Sequence, residues 1–234
     1  MRKILSIDTS ADFCGVAILR GESVLSRHSL AMSRGHAEAL IPLVKNLCAD
    51  ANITPSAFDL ISVTIGPGSF TGVRTGISAA KGFALVADCP AIGVSSLHAV
   101  AAAVPTNDAQ PILIVLDTRR ADYFVQLFDR DTTPIDLPST MDSIGIRELI
   151  RIHRPVVAGN ALGRLRKEES ISGMGDFESF SGDGVPDPVL VAGIAEKIID
   201  SRRVASNTLA PLYLRSPEAK IPRWGGRLKN KPSG

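Results

Sequence analysis

The chain has 234 residues, of which 44% are hydrophobic and 21% charged, and its formal net charge is +2. This length and apolar content can bury one large core or two smaller ones, and they exclude a chain that is disordered over most of its length. The near-neutral balance excludes the strong electrostatic footprint of an isolated nucleic-acid-binding domain, so any contact with nucleic acid is expected to be shared with other subunits.

The cysteines and the N-terminus indicate a reducing compartment and no membrane contact. The three cysteines, Cys14, Cys48 and Cys89, are far apart and form no C-x-x-C pair, so neither a disulfide framework nor a structural zinc site is expected. Asp8 interrupts the first apolar run, which argues against a secretory signal. No apolar stretch approaches the roughly 20 residues of a membrane span. We therefore expect a cytoplasmic protein.

The first 104 residues predict an antiparallel meander followed by alternating helices and strands. The predicted strands are 4–7, 13–19, 23–30, 60–65 and 91–94, and the predicted helices are 37–51 and 73–86. Pro42 is expected to kink or restart the first helix, and Ser95 is expected to cap a helix after the last strand.

The second half opens with a repeat of the first. In the first half, the apolar run 4–7 ends in Asp8-Thr9 and is followed by a second strand. In the second half, the apolar run 112–116 ends in Asp117-Thr118 and is followed by a strand predicted over 123–128. This recurrence predicts an internal duplication, with chance as the alternative. Further along, helices are predicted over 143–152 and 188–199, a strand over 156–160, and a loop over 170–187.

These elements predict two lobes and a tail. The N-terminal lobe is expected to comprise residues 1–104, completed by about 205–215, and a smaller second lobe to comprise 105–204. Residues 216–234 carry five basic residues and one acidic residue, a net charge of +4, together with several prolines and glycines. This composition favours a solvated tail, and an arm that touches RNA phosphates is the alternative.

The glycine-rich segment 66–72 joins a predicted strand to a predicted helix, where backbone N–H groups can approach an anion. It is not a P-loop, because Gly72 is followed by Val73-Arg74 and not by Lys-Ser/Thr. Polar residues that end strands lie where α/β folds place ligands, although local turn formation explains each of them equally well. The weak candidates for a nucleotide or phosphate site are Asp8, Thr9, Ser10, Gly66, Gly68, Ser69 and Asp117.

No catalytic or metal-binding motif is found. The four histidines have no zinc-ligand spacing, and no G-x-S-x-G elbow is present.

Gly72, Gly76 and Ala80 are four residues apart, which suits close approach of another helix or packing against the protein's own sheet.

The sequence resembles the TsaB (YeaZ) family of tRNA threonylcarbamoyladenosine biosynthesis proteins. The resemblance is strong over 1–104, weak over the second lobe, and clear near the end. It rests on Ile7-Asp8-Thr9-Ser10, Ser33-Arg34-Gly35-His36, Gly66 to Arg74 with Gly76, and Pro211-Leu212-Tyr213-Leu214-Arg215. It implies an α/β actin-like ATPase (ASKHA, ribonuclease H-like) fold, with two lobes and mixed sheets.

The resemblance also implies a function. The chain would be a non-catalytic subunit of the bacterial tRNA threonylcarbamoyl transferase complex, which modifies the adenosine next to the anticodon in tRNAs reading ANN codons. Its implied partners are the catalytic subunit TsaD, the ATPase TsaE and, through the complex, tRNA; the isolated chain could form a homodimer. No intrinsic cofactor is implied, and ATP or ADP with Mg²⁺ is left open at the level of the complex.

Two further implications concern residues. TsaD-like proteins bind metal through an H-x-E-G-H motif, and Ser96 and Val100 occupy the two histidine positions here, where neither supplies a good ligand. The family's partner surface comprises the helices at 36–51 and 73–86 of this chain. The residues predicted for that interface are His36, Leu40, Val44, Leu47, Val73, Arg74, Gly76, Ile77 and Ala80.

Two alternatives stay open from the sequence. An ATP-dependent small-molecule kinase of the same fold would need an adenosine site in the second lobe, for which Gly159-Asn160 is a thin basis. A protease would need a metal motif or a nucleophile–base pair, and the sequence contains neither.

Overall fold

The computed structural model describes residues 1–105, 110–173, 176–201 and 209–215; the predicted basic tail, 216–234, lies outside the described residues. The first half contains β1 (Lys3–Asp8), β2 (Phe13–Arg20), β3 (Ser23–Ala31), α1 (His36–Asp50), β4 (Leu60–Thr64), α2 (Phe70–Ala87), β5 (Ala91–Val94) and α3 (Ser96–Ala101), with a 3-10 turn at Pro55–Ala57. The second half contains β6 (Ile112–Asp117), β7 (Tyr123–Phe128), β8 (Ser139–Met141), α4 (Ser143–His153), β9 (Val156–Ala158), α5 (Leu162–Leu165), α6 (Glu169–Ser172), β10 (Ser179–Phe180) and α7 (Pro188–Asp200).

The strands form two five-stranded mixed sheets with the same topology. The first has the order β3-β2-β1-β4-β5 and the second the order β8-β7-β6-β9-β10. In each sheet the first strand pairs antiparallel with the second and parallel with the fourth. The repeated Asp-Thr turn therefore corresponds to a repeated sheet, and the chain has the predicted actin-like, ribonuclease H-like α/β fold.

Both faces of β1, β2 and β4 in the first sheet are buried, which explains their nearly continuous apolar sequences, whereas the edge strand β3 is exposed. Leu5 and Ile7 of β1 point to the core formed with α1 and α2. Ile4, one residue out of phase, points to the opposite core. Because side chains alternate along a strand, one short run supplies both cores and fixes the register of the sheet.

Helix α7 changes the predicted lobe boundary. The sequence division assigns 105–204 to the second lobe, but Val191, Ala192 and Ala195 pack with Ile4 and Leu60 against the first sheet. Without α7, one face of that sheet would expose its apolar side chains to water. The apolar stripe of α7 covers this face. In the segment predicted to complete the first lobe, Leu209 packs in the core with α1 and α2.

Some local elements differ from the prediction, which did not include β8 or α5. Helix α1 runs unbroken through Pro42, which is exposed, so water can reach the carbonyl that its missing N–H leaves free. The predicted loop 170–187 contains the end of α6 and the two-residue strand β10. Among the described residues, no helix is both long and apolar enough to cross a bilayer.

Candidate functional site

The turn after β1 is built around a buried carboxyl group. Asp8 is 1% exposed, and its Oδ1 accepts hydrogen bonds from Thr64 Oγ1 at 2.5 Å and from Ser10 N and Oγ at 3.1 and 2.7 Å. Burial raises the pKa of Asp8 above its ordinary value, against the opposing effect of these hydrogen bonds. The environment therefore favours the neutral acid more than water does.

Two further hydroxyl groups extend this turn. Ser96 Oγ donates to Ser10 Oγ at 3.0 Å, and Thr9 Oγ1 donates to the Gly72 carbonyl oxygen at 2.7 Å. Sequence reasoning missed Thr64, although it ends the neighbouring parallel strand as Asp8 ends its own. Ser96, noted only as a missing metal ligand, belongs to the same network.

The glycines of segment 66–72, the last of which lies in α2, allow this segment to approach the β1 turn closely. A β-carbon would lie 2.2 Å from the Ser10 carbonyl oxygen at Gly68 and 2.0 Å from the Thr9 carbonyl oxygen at Gly72. At Gly66, φ is +97°, a value that favours glycine. Close packing thus accounts for these glycines without an anion, while Ser69 caps α2 through a 3.3 Å bond to Gly72 N.

The turn after β6 has a different electrostatic environment. Asp117 Oδ1 accepts a hydrogen bond from Arg164 Nη1 at 2.5 Å and another from Arg119 N at 2.8 Å, and Asp117 N donates to Asn160 Oδ1 at 2.8 Å. The Arg164 guanidinium therefore already compensates the carboxylate charge. Arg164 follows Asp117 by 47 residues, and no pattern in the sequence signals the pair.

A cleft separates the two turns. A cavity of about 520 Å³ brings together four predicted residues, Ser10, Gly68, Ser69 and Asp117, and a neighbouring cavity of about 570 Å³ reaches Asp8. Neither cavity is lined by Thr9 or Gly66. Across the cleft, Arg119 Nη2 contacts both carboxylate oxygens of Asp12 at 2.6 and 2.7 Å.

The residues present do not fit a metal-bound nucleotide. Mg²⁺ is bound through accessible, ionised carboxylates, whereas Asp8 is buried and Asp117 is paired with Arg164. A β-carbon at Gly184 would lie 2.2 Å from Asn160 N, so a loop packs directly on the Gly159-Asn160 turn. Within the described residues, no three His, Cys, Asp or Glu side chains are grouped to hold a metal ion.

Most residues predicted for the partner interface belong to the core of this chain. Arg74 is exposed, and the other eight are buried: His36, Leu40, Val44, Leu47, Val73, Gly76, Ile77 and Ala80. A β-carbon at Gly76 would lie 2.5 Å from Thr9 Oγ1, so the small-residue row of α2 packs against its own sheet. These eight residues lie on the apolar stripe that each helix buries on its own sheet, which is the stripe that periodicity detects. The partner interface itself stays a prediction.

The outward faces of the same helices carry exposed apolar residues. Ile41 is 52% exposed and Phe70 is 59% exposed. Both line a shallow groove of about 510 Å³ between α1 and α2, and Ile41 also lines a second groove of about 400 Å³ farther along the helix pair. This surface, defined by Ile41, Phe70 and the two grooves, is called the α1–α2 groove below.

The sequence and the fold are similar to those of known proteins. A sequence model of the family described as "TsaD: tRNA N6-adenosine threonylcarbamoyltransferase" matches residues 29–201. The chain is 34% identical over 134 residues to the tRNA threonylcarbamoyladenosine biosynthesis protein TsaB of Escherichia coli (strain K12), covering 57% of this chain and 58% of that protein. It is 28% identical over 227 residues to TsaB of Bacillus subtilis (strain 168), covering 94% and 97%.

A solved structure agrees with these matches. YeaZ from Pseudomonas aeruginosa superposes with a TM-score of 0.77 at 22% identity, covering 92% of this chain and all of that one, and it supports the fold. The family model spans most of the chain, and the relatives named TsaB match it over up to nine-tenths of its length. The chain therefore belongs to the TsaD-type family of actin-like proteins, within its TsaB (YeaZ) group.

Proposed function

We propose that this protein acts in tRNA threonylcarbamoyladenosine biosynthesis as a non-catalytic subunit that binds and supports a TsaD catalytic subunit. The names of its relatives support the biosynthetic role. The proposal includes modification of the adenosine next to the anticodon in tRNAs reading ANN codons, participation of the ATPase TsaE, indirect contact with tRNA, and action in the cytoplasm, where tRNA is modified.

One observation carries the non-catalytic assignment: the chemistry of the two positions where TsaD-like proteins place metal-binding histidines. Val100 has no ligand atom and is 3% exposed. Ser96 is 1% exposed, and its hydroxyl group donates to Ser10 Oγ. A buried serine hydroxyl engaged in the β1 turn and a core valine cannot replace two imidazoles, whose nitrogens are strong ligands for transition metals.

The α1–α2 groove supports the assignment of a protein partner. It exposes apolar side chains on two rigid helices that are anchored by their inner faces in the core. Apolar residues in a groove between helices suit an amphipathic helix or helix pair of another protein. A TsaD subunit of the same fold would offer such helices, and a second copy of this chain would offer the same surface when TsaD is absent.

The two alternatives have less support. A kinase of this fold needs an open adenosine site and carboxylates that can hold Mg²⁺, and the cleft offers a covered Gly159-Asn160 turn and a neutralised Asp117. A metalloprotease needs ligands in place of Ser96 and Val100. ATP turnover by the purified chain would favour the kinase, and peptide cleavage abolished by chelation would favour the protease.

A binding assay with matched variants tests the proposal. Ile41→Glu places a charge in the α1–α2 groove, and we expect it to weaken capture of purified TsaD at least about tenfold, as a desolvated charge at an interface does. Ile152→Glu is the control, since Ile152 is 61% exposed on α4, outside the groove. Equal binding by both variants would refute the groove as the partner surface.

The biosynthetic role is tested in cells. Depletion of the protein should reduce threonylcarbamoyladenosine in tRNA, measured by mass spectrometry of nucleosides. The control variant should restore the modified nucleoside, and Ile41→Glu should not. Unaltered modification after depletion would refute the proposed function, as would modification of tRNA by the purified chain without a partner.

A further inference from the structure

The described C-terminal segment, Leu209–Arg215, contacts both sheets and is called the C-terminal link below. Leu209 packs in the core under the first sheet, and Leu212 N donates to the Ile65 carbonyl oxygen at 2.8 Å. Leu214 packs against the core of the second sheet. Arg215 forms an ion pair with Asp122 in the turn between β6 and β7. Seven residues thus join the two halves of the fold.

One part of the link forms an exposed cluster with the start of α2. Arg74 Nε donates to Tyr213 Oη at 2.8 Å, and the Arg74 guanidinium lies 3.7 Å from the centre of the Phe70 ring. The Phe70 and Tyr213 rings stack with their centres 5.9 Å apart, although they remain 59% and 52% exposed. Large exposed aromatic rings held in one geometry are typical of contact surfaces.

This cluster of Phe70, Arg74 and Tyr213 lies where the α1–α2 groove meets the cleft. Phe70 and Arg74 both line the groove. Phe70 also lines the cavity of about 520 Å³ between the two Asp turns. A partner that fills the groove therefore reaches the side chains against which Tyr213 packs.

The other end of the link holds the β6–β7 turn. Asp122 Oδ1 pairs with Arg215 and accepts a hydrogen bond from Thr118 Oγ1 at 2.9 Å. The Arg215 guanidinium also lies 5.7 Å from the centre of the Phe124 ring. The same turn carries Arg119, which reaches across the cleft to Asp12. The position of this turn thus sets one wall of the cleft.

We propose that the C-terminal link couples the α1–α2 groove to the cleft: a protein partner that covers Phe70 and Tyr213 restrains the link and, through Arg215, orders the β6–β7 turn. The inference rests on the proposed function, because it requires a partner in the groove. Its basis is geometric, since Tyr213 and Arg215 are two residues apart and are bonded to different halves of the fold. Restraint of one end reduces the freedom of the other.

Hydrogen exchange with the purified full chain and purified TsaD tests this coupling. The readout is the exchange rate of the amides of residues 117–122, with and without TsaD. Asp122→Asn removes the charge that Arg215 meets and keeps an oxygen for Thr118. Asp131→Asn is the matched control, because Asp131 belongs to an exposed ion pair with Arg130 elsewhere in the same half. Tyr213→Phe is a second test variant, which keeps the ring and removes the oxygen bonded to Arg74.

The expected result is slower exchange on TsaD binding by at least about fivefold in the wild type and in Asp131→Asn, at the lower end of ordinary coupling between sites. In Asp122→Asn and Tyr213→Phe the effect should fall below about twofold while TsaD still binds. Binding without protection in the wild type, or with equal protection in all variants, would overturn the coupling and leave the proposed function standing. Failure of wild-type protein to bind TsaD would refute both.

Discussion

Substitution of Gly72 by alanine tests how closely α2 approaches the β1 turn. The added β-carbon would lie 2.0 Å from the Thr9 carbonyl oxygen, so α2 must shift, and the 2.7 Å bond from Thr9 Oγ1 to the Gly72 carbonyl oxygen must lengthen. Overpacking of this kind costs about 1–3 kcal/mol, a lost hydrogen bond costs about 1 kcal/mol, and alanine returns at most about 1 kcal/mol of helix propensity. We expect Gly72→Ala to lower the free energy of unfolding by about 1–3 kcal/mol.

Gly82 of the same helix is the matched control, because no heavy atom lies within 4 Å of its added β-carbon. Gly82→Ala should raise the free energy of unfolding by about 1 kcal/mol through propensity alone. Urea unfolding followed by circular dichroism at the helix band measures both variants against the wild type. If Gly72→Ala is as stable as Gly82→Ala, the close contact with Thr9 does not constrain this position.

Three further outcomes are expected from single groups. Burial raises the pKa of Asp8 above 3.8, so the native state binds this proton more tightly than the unfolded state does. Wild-type stability therefore falls as the pH rises from the pKa of Asp8 in the unfolded state through its pKa in the native state. Asp8→Asn keeps the Oδ1 acceptor without titrating, so it should gain stability relative to the wild type over that range in urea unfolding; a pH-independent difference would contradict this. Burial raises the pKa of the Cys14 thiol to about 11, and Cys48 is buried too. The half-buried Cys89 should therefore be the first cysteine that iodoacetamide alkylates in the native protein, which peptide mass spectrometry can check. Asp142→Ala removes the 2.9 Å cap at the start of α4 and should cost about 1 kcal/mol in urea unfolding, whereas Asp142→Ser should cost less.

Most strands were predictable because they are short, largely apolar runs that end in turn-forming or polar residues, but β8 (Ser139–Met141) was missed because it has no such run. The strand expected over 91–94 is β5, and the strand expected over 123–128 is β7, with the same bounds. The Asp-Thr repeat located the equivalent turns of the two sheets. The two-residue strand β10 could not be predicted, because so short a pairing depends on its neighbour β9 and on no periodicity of its own.

The direction in which helices pack was not predictable from periodicity. The stripes of α1 and α2 looked the same whether a helix covered its own sheet or met another protein. The stripe of α7 gave no sign that the helix returns to the first sheet. In these cases local pattern fixes which residues are buried, while the identity of the covering surface depends on contacts distant in sequence.

The sequence indicates which polar residues end the strands of the two sheets, but not the electrostatic environment of those residues. Asp117 lines the cavity of about 520 Å³ together with Ser10, whereas Asp8 lines the neighbouring cavity. What each carboxyl group can do depends on Thr64, on Arg164 and on the depth of burial, and these follow from the folded arrangement alone. Desolvation and charge pairing act through space, so a sequence pattern typical of a phosphate site can occur where the folded environment does not suit a phosphate group.

The return of α7 to the first sheet has a consequence for synthesis on the ribosome. The face of that sheet that carries Ile4, Leu60 and Val94 is covered by residues near 191–195. This apolar surface stays uncovered until about 200 residues of the chain have been synthesised. At ordinary elongation rates of about 5–20 residues per second, the interval between synthesis of the sheet and synthesis of α7 lasts several seconds. A stalled or truncated polypeptide would therefore be a ready substrate for chaperones that bind exposed apolar strands.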